Sequence, residues 1–153
     1  RASQIPTRWL DQGASQALPI FRVATRQQSG LVEDLLRTQV ADKTNWRALL
    51  KGDAVPLDLP AIRDQLLESC AEGIAVLQQR FGLQAIQPIG DAEVLEIRYP
   101  VEAYPTKVAS HDLEKTPVVE GILRGIKGQY LILDTGVINL RKYTAYQVAV
   151  LTE

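Results

Sequence analysis

The sequence has one cysteine, one histidine and no methionine among its 153 residues. A single cysteine excludes an internal disulfide and a metal site built from several cysteines. Cys70 falls among apolar residues in a helical pattern, which predicts a buried core thiol rather than a nucleophile. The longest uncharged apolar runs have the length of strands, so we predict no membrane contact, and the polar N-terminus predicts no secretory signal. These features predict a reducing, cytoplasmic location.

A strong charge of either sign is also missing, because the net charge is −1. This value argues against a protein that coats nucleic acid, since affinity for phosphate backbones follows local positive charge. The charge is uneven along the chain. Residues 1–51 carry eight Lys and Arg against four Asp and Glu, whereas residues 52–102 carry three against nine. A basic face on the first third is therefore compatible with the composition.

The first 82 residues show helical periodicity interrupted by one strand. Short helices are predicted near Trp9, over 31–40 and over 42–50, with a strand over 18–25. One long helix is predicted over 58–82, with Asp58 as its N-cap and Gly82 as its stop. Its apolar stripe is Ile62, Leu66, Cys70, Ile74, Leu77 and Phe81. Arg63 falls outside this stripe, so we expect it on a solvated face.

From Glu93 onward the hydrophobic period changes to two, which is typical of strands. We predict strands over 93–99, 107–110, 118–126, 129–134, 137–141 and 146–151, with tight turns at Lys127-Gly128 and Thr135-Gly136. These strands indicate an antiparallel module that forms a small barrel or a curved sheet. The expected core of this module comprises Leu95, Ile97, Ile122, Leu131, Leu133, Ile138 and Val148.

The end of the chain carries a distinctive motif. It reads Gly-Ile-Lys-Gly-Gln-Tyr-Leu at 125–131, followed by Gly-Val-Ile-Asn-Leu-Arg-Lys at 136–142. Together with blocks at 5–14, 24–33 and 99–120, it resembles a bacterial family known as domain of unknown function 2797. Ala145 stands where the family pattern has glycine. The resemblance implies longer relatives with a preceding cysteine-rich segment and β-hairpin, so we expect this chain to be the C-terminal part of a larger protein.

We predict a division of the chain into three parts, of which the first rests on the resemblance and the other two on the hydrophobic periodicity. Residues 1–57 would be a truncated α/β unit similar to a GIY-YIG nuclease, 58–82 a long connecting helix, and 83–153 the antiparallel β module. The predicted fold class is α+β. In GIY-YIG enzymes an arginine and a metal-holding glutamate serve phosphodiester cleavage, and Arg8 and Glu33 occupy the corresponding order here. The alternative is that Glu33 pairs with Arg37 on the helix surface and that Arg8 is a solvated helix residue.

A second candidate site is the basic and aromatic set in the β module, where rings can stack bases and cations can hold phosphates. Its members are Arg124, Lys127, Tyr130, Arg141, Lys142, Tyr143 and Tyr146. The alternative is that Lys127 is a turn residue and that the tyrosines are half-buried sheet residues. No metal site is predicted from the residues of this chain.

We therefore predict a non-catalytic region that associates with DNA or RNA and holds no cofactor itself. One alternative is a structural or protein-interaction module, which the small net charge favours. Another is a part of a metal-dependent GIY-YIG-like nuclease, in which case the full-length protein would bind a divalent metal. The sequence does not predict the oligomeric state.

Overall fold

A computed structural model describes residues 5–40, 45–52 and 55–152. Within them the helices are α1 (Ile5–Asp11), α2 (Arg26–Arg37), α3 (Trp46–Lys51), α4 (Leu59–Ser69) and α5 (Ala71–Phe81), with 3₁₀ turns at Leu83–Ala85 and Leu140–Tyr143. The strands are β1 (Gln16–Ala17), β2 (Phe21–Val23), β3 (Ile86–Pro88), β4 (Leu95–Glu96), β5 (Leu123–Lys127), β6 (Tyr130–Leu133) and β7 (Gly136–Asn139). Helices and antiparallel strand pairs occur together, so the predicted α+β class is confirmed.

The described residues group into two compact units. The first unit contains residues 16–40 and 55–96, and the second contains residues 5–15, 45–52 and 97–152. Their charges differ in sign: the first carries five Lys and Arg against nine Asp and Glu, and the second carries ten against six. The three-part division predicted from the sequence stays a prediction, because a geometric grouping does not test which segments fold independently.

The first unit combines α2, α4 and α5 with two short antiparallel pairs, β1 with β4 and β2 with β3. Helix α2 begins earlier than the predicted residue 31 because Thr25 and Gln28 form a capping box. The Gln28 amide donates to Thr25 Oγ1 at 3.3 Å, and the Thr25 amide donates to Gln28 Oε1 at 2.9 Å. These two bonds satisfy backbone donors that the first turn of a helix leaves unpaired.

The predicted long helix is wrong as a single element, because the chain forms α4 and α5 with a joint at Cys70. The predicted ends are confirmed: Asp58 accepts from the Ala61 amide at 3.1 Å, and Gly82 follows α5 with φ of 92°. At the joint, Cys70 has φ of −105° and ψ of 9°. The amides of Cys70 and Ile74 still bond to the carbonyls four residues earlier, as in a continuous helix. The apolar residues therefore keep their helical spacing across the joint, and the sequence pattern does not reveal it.

Arg63 is also placed differently from the prediction, since only 8% of it is exposed. Its Nη1 donates to the Gly90 carbonyl at 2.7 Å, and its Nε donates to Asp64 Oδ1 at 2.8 Å. These two bonds supply the partners that a buried guanidinium requires, and the bond to Gly90 ties α4 to the loop at that residue.

The second unit contains the sheet β5–β6–β7 together with α1 and α3. Both predicted hairpins form, but each turn is displaced by one residue: Lys127 pairs with Tyr130 and Leu133 pairs with Gly136, so the turn residues are Gly128-Gln129 and Asp134-Thr135. The barrel alternative is wrong: the three strands form an open sheet with no closure among the described residues. The reason is that residues 107–110 contribute only a single bridge, from Ser110 to Val137, and residues 146–151 form no strand. The predicted helix over 42–50 lies partly outside the described residues.

The core of the second unit consists of Leu50, Tyr130, Ile132 and Val137, with Trp46, Val101 and Val108 packed against it. The predicted inward face of β6 is therefore wrong. Leu131 and Leu133 are half-buried, whereas Tyr130 and Ile132 occupy the buried face. Leu95, Ile122 and Val148 were also predicted to be buried and are exposed. All four residues of β6 are apolar or aromatic, so its composition cannot say which face points inward.

Replacing Ile132 by alanine should destabilise the protein by about 2–5 kcal/mol, because the side chain is only 1% exposed and its removal leaves a cavity. Leu131→Ala on the other face should cost less than half as much, since that side chain already contacts water. Denaturant melts of the two variants test this. Equal losses would show that both faces of β6 are packed alike.

Candidate nucleic-acid interface

Lys127 closes β5 and is the most deeply buried of the predicted nucleic-acid contacts. It is 3% exposed, and its Nζ donates to the Leu49 carbonyl at 3.0 Å. The same ammonium lies 5.0 Å from the ring centre of Tyr104 and 5.8 Å from that of Tyr99. A carbonyl and two ring faces are the partners that a desolvated ammonium requires. This environment suits a structural lysine better than a phosphate contact.

Tyr130 is buried as well, and its ring stacks on Trp46 with centres 6.1 Å apart and planes 5° apart. Its hydroxyl accepts a hydrogen bond from Asn139 Nδ2 at 3.3 Å. The guanidinium of Arg47 covers Trp46 at 4.4 Å from the ring centre. The aromatic pair therefore belongs to the packing of α3 against the sheet, and the Tyr130 ring is closed to a base.

Arg124 lies on β5 and is half-buried. Its guanidinium lies 3.8 Å from the carboxylate of Glu102, and its carbonyl accepts a bond from the Glu102 amide at 2.8 Å. A pair this exposed contributes little to stability, but it partly neutralises the arginine. Arg124 is thus a weaker phosphate contact than an unpaired cation would be.

Arg141 and Lys142 are exposed on the 3₁₀ turn Leu140–Tyr143. Asn139 begins this turn, because its Oδ1 accepts from the Arg141 amide at 3.0 Å. The turn is tied to the β5–β6 loop by a bond from the Leu140 amide to the Gln129 carbonyl at 2.9 Å. The backbone of the two cations is therefore fixed, while their side chains remain open to solvent.

The 3₁₀ turn and α1 line one open cavity of about 640 Å³, which we call the α1 groove. The polar side chains at its wall are Thr7, Arg8, Asp11, Gln12, Gln129, Arg141 and Thr144. Guanidinium groups, amides and hydroxyls are donors that suit phosphate oxygens. Asp11 lowers the positive potential without cancelling it. The structure thus brings Arg8, which was assigned to a different site, into one groove with Arg141.

Helix α1 is held in this position by Tyr99. The Tyr99 hydroxyl lies 3.2 Å from the Leu10 carbonyl, in the last turn of the helix, and 3.0 Å from the Ala14 carbonyl, just beyond it. Burial raises the pKa of Tyr99, and the nearby Tyr104 and Asp11 raise it further. The hydroxyl therefore stays protonated and able to donate over the physiological range.

A family model described as "Protein of unknown function (DUF2797)" matches residues 1–148. The chain belongs to this family. No curated protein and no solved structure matches the chain. The resemblance found from the sequence motifs is confirmed, but the family description names no activity. The function of this DUF2797 protein must therefore be argued from its residues.

Two further tyrosines of the predicted basic and aromatic set are Tyr143, which ends the 3₁₀ turn, and Tyr146, which follows it. Tyr143 is buried, and its hydroxyl accepts from the Leu113 amide at 2.9 Å. Tyr146 is 54% exposed, and its hydroxyl donates to Glu114 Oε1 at 2.7 Å. The two rings meet edge to face, with centres 5.7 Å apart and planes 83° apart. Sequence reasoning missed the partners of this pair, Leu113 and Glu114, because they lie 30 and 32 residues earlier in the chain.

The predicted catalytic pair is divided between the two units. Arg8 lies on α1 in the second unit, and Glu33 lies exposed on α2 in the first. Arg37 forms its ion pair with Asp34 at 3.3 Å, three residues earlier on the helix, and not with Glu33. A cleavage site shared by Arg8 and Glu33 stays a prediction.

No three His, Cys, Asp or Glu side chains within residues 5–40, 45–52 and 55–152 are grouped so that they could hold a metal ion. His111 contacts Thr135 Oγ1 through Nε2 at 3.2 Å, which links two loops of the second unit. No helix in the described ranges has the length and apolar character needed to cross a bilayer.

Lys127→Ala should destabilise the protein by about 1–3 kcal/mol or more, because it leaves the Leu49 carbonyl without its partner and removes packed methylenes. The exposed Lys142→Ala is the matched control and should change stability by less than about 0.5 kcal/mol. Thermal or denaturant unfolding measures both. If the two variants unfold alike, the Lys127 ammonium is not held as described.

The pKa of Tyr146 is raised above its ordinary value of 10.0, first by the hydrogen bond to Glu114 and then by the charge of that carboxylate. Glu114→Gln should bring this pKa back towards the ordinary value, because it removes the negative charge. A raised tyrosine pKa means that the bond stabilises the fold below about pH 10 and is lost as the pH rises further. Ultraviolet titration of tyrosinate, with Tyr146→Phe to identify the signal, measures the shift; no change would contradict the bond.

Proposed function

We propose that this protein is a non-catalytic, cytoplasmic nucleic-acid-binding module and that the α1 groove is its phosphate-binding surface. The observation that carries the proposal is that Arg8 and Arg141 line one groove, although 132 positions separate them in the chain. Two cations at one surface raise the local positive potential well above that suggested by a net charge of −1.

The charge distribution supports the same surface. The second unit carries ten Lys and Arg against six Asp and Glu, so the excess positive charge belongs to the unit that contains the groove. Lys142 adds a cation on the same 3₁₀ turn as Arg141. Phosphate contacts of this kind give affinity without sequence specificity, and they require no metal ion.

The predicted residues have different roles in the proposed site. Arg8, Arg141 and Lys142 are exposed and reach solvent from fixed backbone, so they are assigned to the phosphates. Lys127 and Tyr130 are buried, and their contribution is to hold the sheet, α3 and the groove in place. Arg124 is assigned to neither role because Glu102 partly neutralises it.

Arg141→Ala should weaken binding to nucleic acid and reduce the slope of log affinity against log salt concentration by about one unit, because one phosphate contact and its counterion release are lost. Arg8→Ala should act similarly, and the double variant should lose about twice as much slope. Fluorescence anisotropy with labelled single- and double-stranded DNA and RNA, over a salt series, provides the measurement.

Arg98→Ala is the matched control, since Arg98 is an exposed arginine of the same unit that does not line the groove. It should leave the salt slope close to that of the unchanged protein. Circular dichroism should show that each variant is folded. Absence of binding to all four probes at low salt would refute the proposal, and equal slopes for Arg98→Ala and Arg141→Ala would refute the groove as the contact surface.

One observation favours a protein-interaction function as the second candidate. Ile122, Leu123 and Ile126 are exposed on and beside β5, next to a cavity of about 480 Å³ lined by residues 99–102 and 123–126. Exposed apolar side chains in one place mark surfaces that bind proteins. Self-association in sedimentation that Leu123→Ser abolishes, together with no nucleic-acid binding, would favour this candidate.

A further inference from the structure

We infer that Tyr146 is a stacking platform for an unpaired base and that the preferred ligand of the α1 groove is therefore a single strand. This inference rests on the proposed function, because it concerns what occupies the groove. It adds a ligand class and a residue that phosphate contacts alone do not supply. Three features of the described residues support it.

The first feature is that Tyr146 is both exposed and fixed. Its hydroxyl donates to Glu114 Oε1 at 2.7 Å, its amide donates to the Tyr143 carbonyl at 3.0 Å, and its ring meets the buried Tyr143 ring edge to face. A tyrosine held at both ends loses little conformational freedom when a ligand stacks on it. An exposed aromatic residue without such contacts would have to be ordered by the ligand.

The second feature is the short stretch of chain between Tyr146 and the residues that line the groove. Thr144 lines the α1 groove two residues before Tyr146, which corresponds to a span of at most about 7 Å of chain. Arg141 lines the groove on the preceding turn. A base attached to a backbone held at Arg141 and Thr144 is therefore within reach of the ring.

The third feature is the sign of the charge next to the ring. Glu114 holds the Tyr146 hydroxyl, and Asp112 accepts from the Glu114 amide at 3.2 Å, so two carboxylates lie at this end. Carboxylates repel phosphates, whereas the ring surface attracts any base through its π face. The charges thus direct the phosphates towards Arg8 and Arg141 and leave the Tyr146 ring to a neutral base. Bases in a duplex are paired and stacked on each other, so this ring favours a single strand.

The test uses three probes of about ten nucleotides, a length within the usual range for single-strand sites. They are a fluorescein-labelled oligothymidylate, a single strand of the same length without bases, and a labelled duplex. The unchanged protein should bind the oligothymidylate about 5- to 150-fold more tightly than the abasic strand, which corresponds to one stacked base. This comparison needs no variant and does not depend on whether a variant folds.

Tyr146→Ala should weaken binding to the oligothymidylate by a similar factor and leave binding to the abasic strand unchanged. Its salt slope should match that of the unchanged protein, because stacking releases no counterions. Tyr146→Phe keeps the ring and should bind within about twofold of the unchanged protein. Glu114→Gln keeps a hydrogen-bond acceptor for the hydroxyl and should also retain binding.

The outcomes separate the inference from the proposed function. Salt-dependent binding that Arg141→Ala weakens, with equal affinity for the oligothymidylate and the abasic strand, would overturn the inference alone. Equal losses for Tyr146→Ala on both single strands, or tighter binding of the duplex, would also overturn it. No binding of any probe by the unchanged protein would overturn the proposed function itself.

Discussion

The buried ammonium of Lys127 is the interaction on which the second unit depends. A charge removed from water must find partners, and here the Leu49 carbonyl and the rings of Tyr99 and Tyr104 supply them. These partners come from α3 and from the segment that precedes β5, so one group orders several parts of the chain. The next residue, Gly128, allows the turn to approach α1 closely, since a Cβ there would lie 2.8 Å from the Asp11 carbonyl. The wall of the α1 groove is a consequence of this packing.

Much of the fold could be predicted wherever local chemistry determines it. Asp58 at the start of α4 and Gly82 after α5 act through their own backbone neighbours, and the turn at Gly128 needs the positive φ that glycine adopts readily. The capping box of Thr25 and Gln28 was visible in the sequence as a threonine followed three residues later by glutamine, and it would have given the correct start of α2. Features of this kind involve few residues that are close in sequence.

Features set by distant packing could not be predicted in the same way. The alternation in β6 defines two faces, but both are apolar, and Tyr130 points inward to a cluster that includes Leu50 and Trp46 from a distant part of the chain. The helical pattern placed Arg63 in solvent. Its burial depends on the Gly90 carbonyl, which lies 27 residues away and could not be identified as a partner from the sequence. The candidate site follows the same rule. Lys127 and Arg141 are both cations at the ends of strands, yet the first is buried and the second is exposed. Nothing near Arg8 in the sequence indicates that it shares a groove with Arg141.

The joint between α4 and α5 allows local opening of the first unit to be measured by the rate at which a reagent labels its thiol. Cys70 sits at this joint, is only 4% exposed, and carries the only thiol in the sequence. A thiol reagent added to the native protein can therefore react only when this position opens to solvent, through local fluctuation or global unfolding. The labelling rate relative to an unstructured peptide thiol reports the free energy of that opening. The protein thus contains its own single-site probe, and no engineered cysteine is needed.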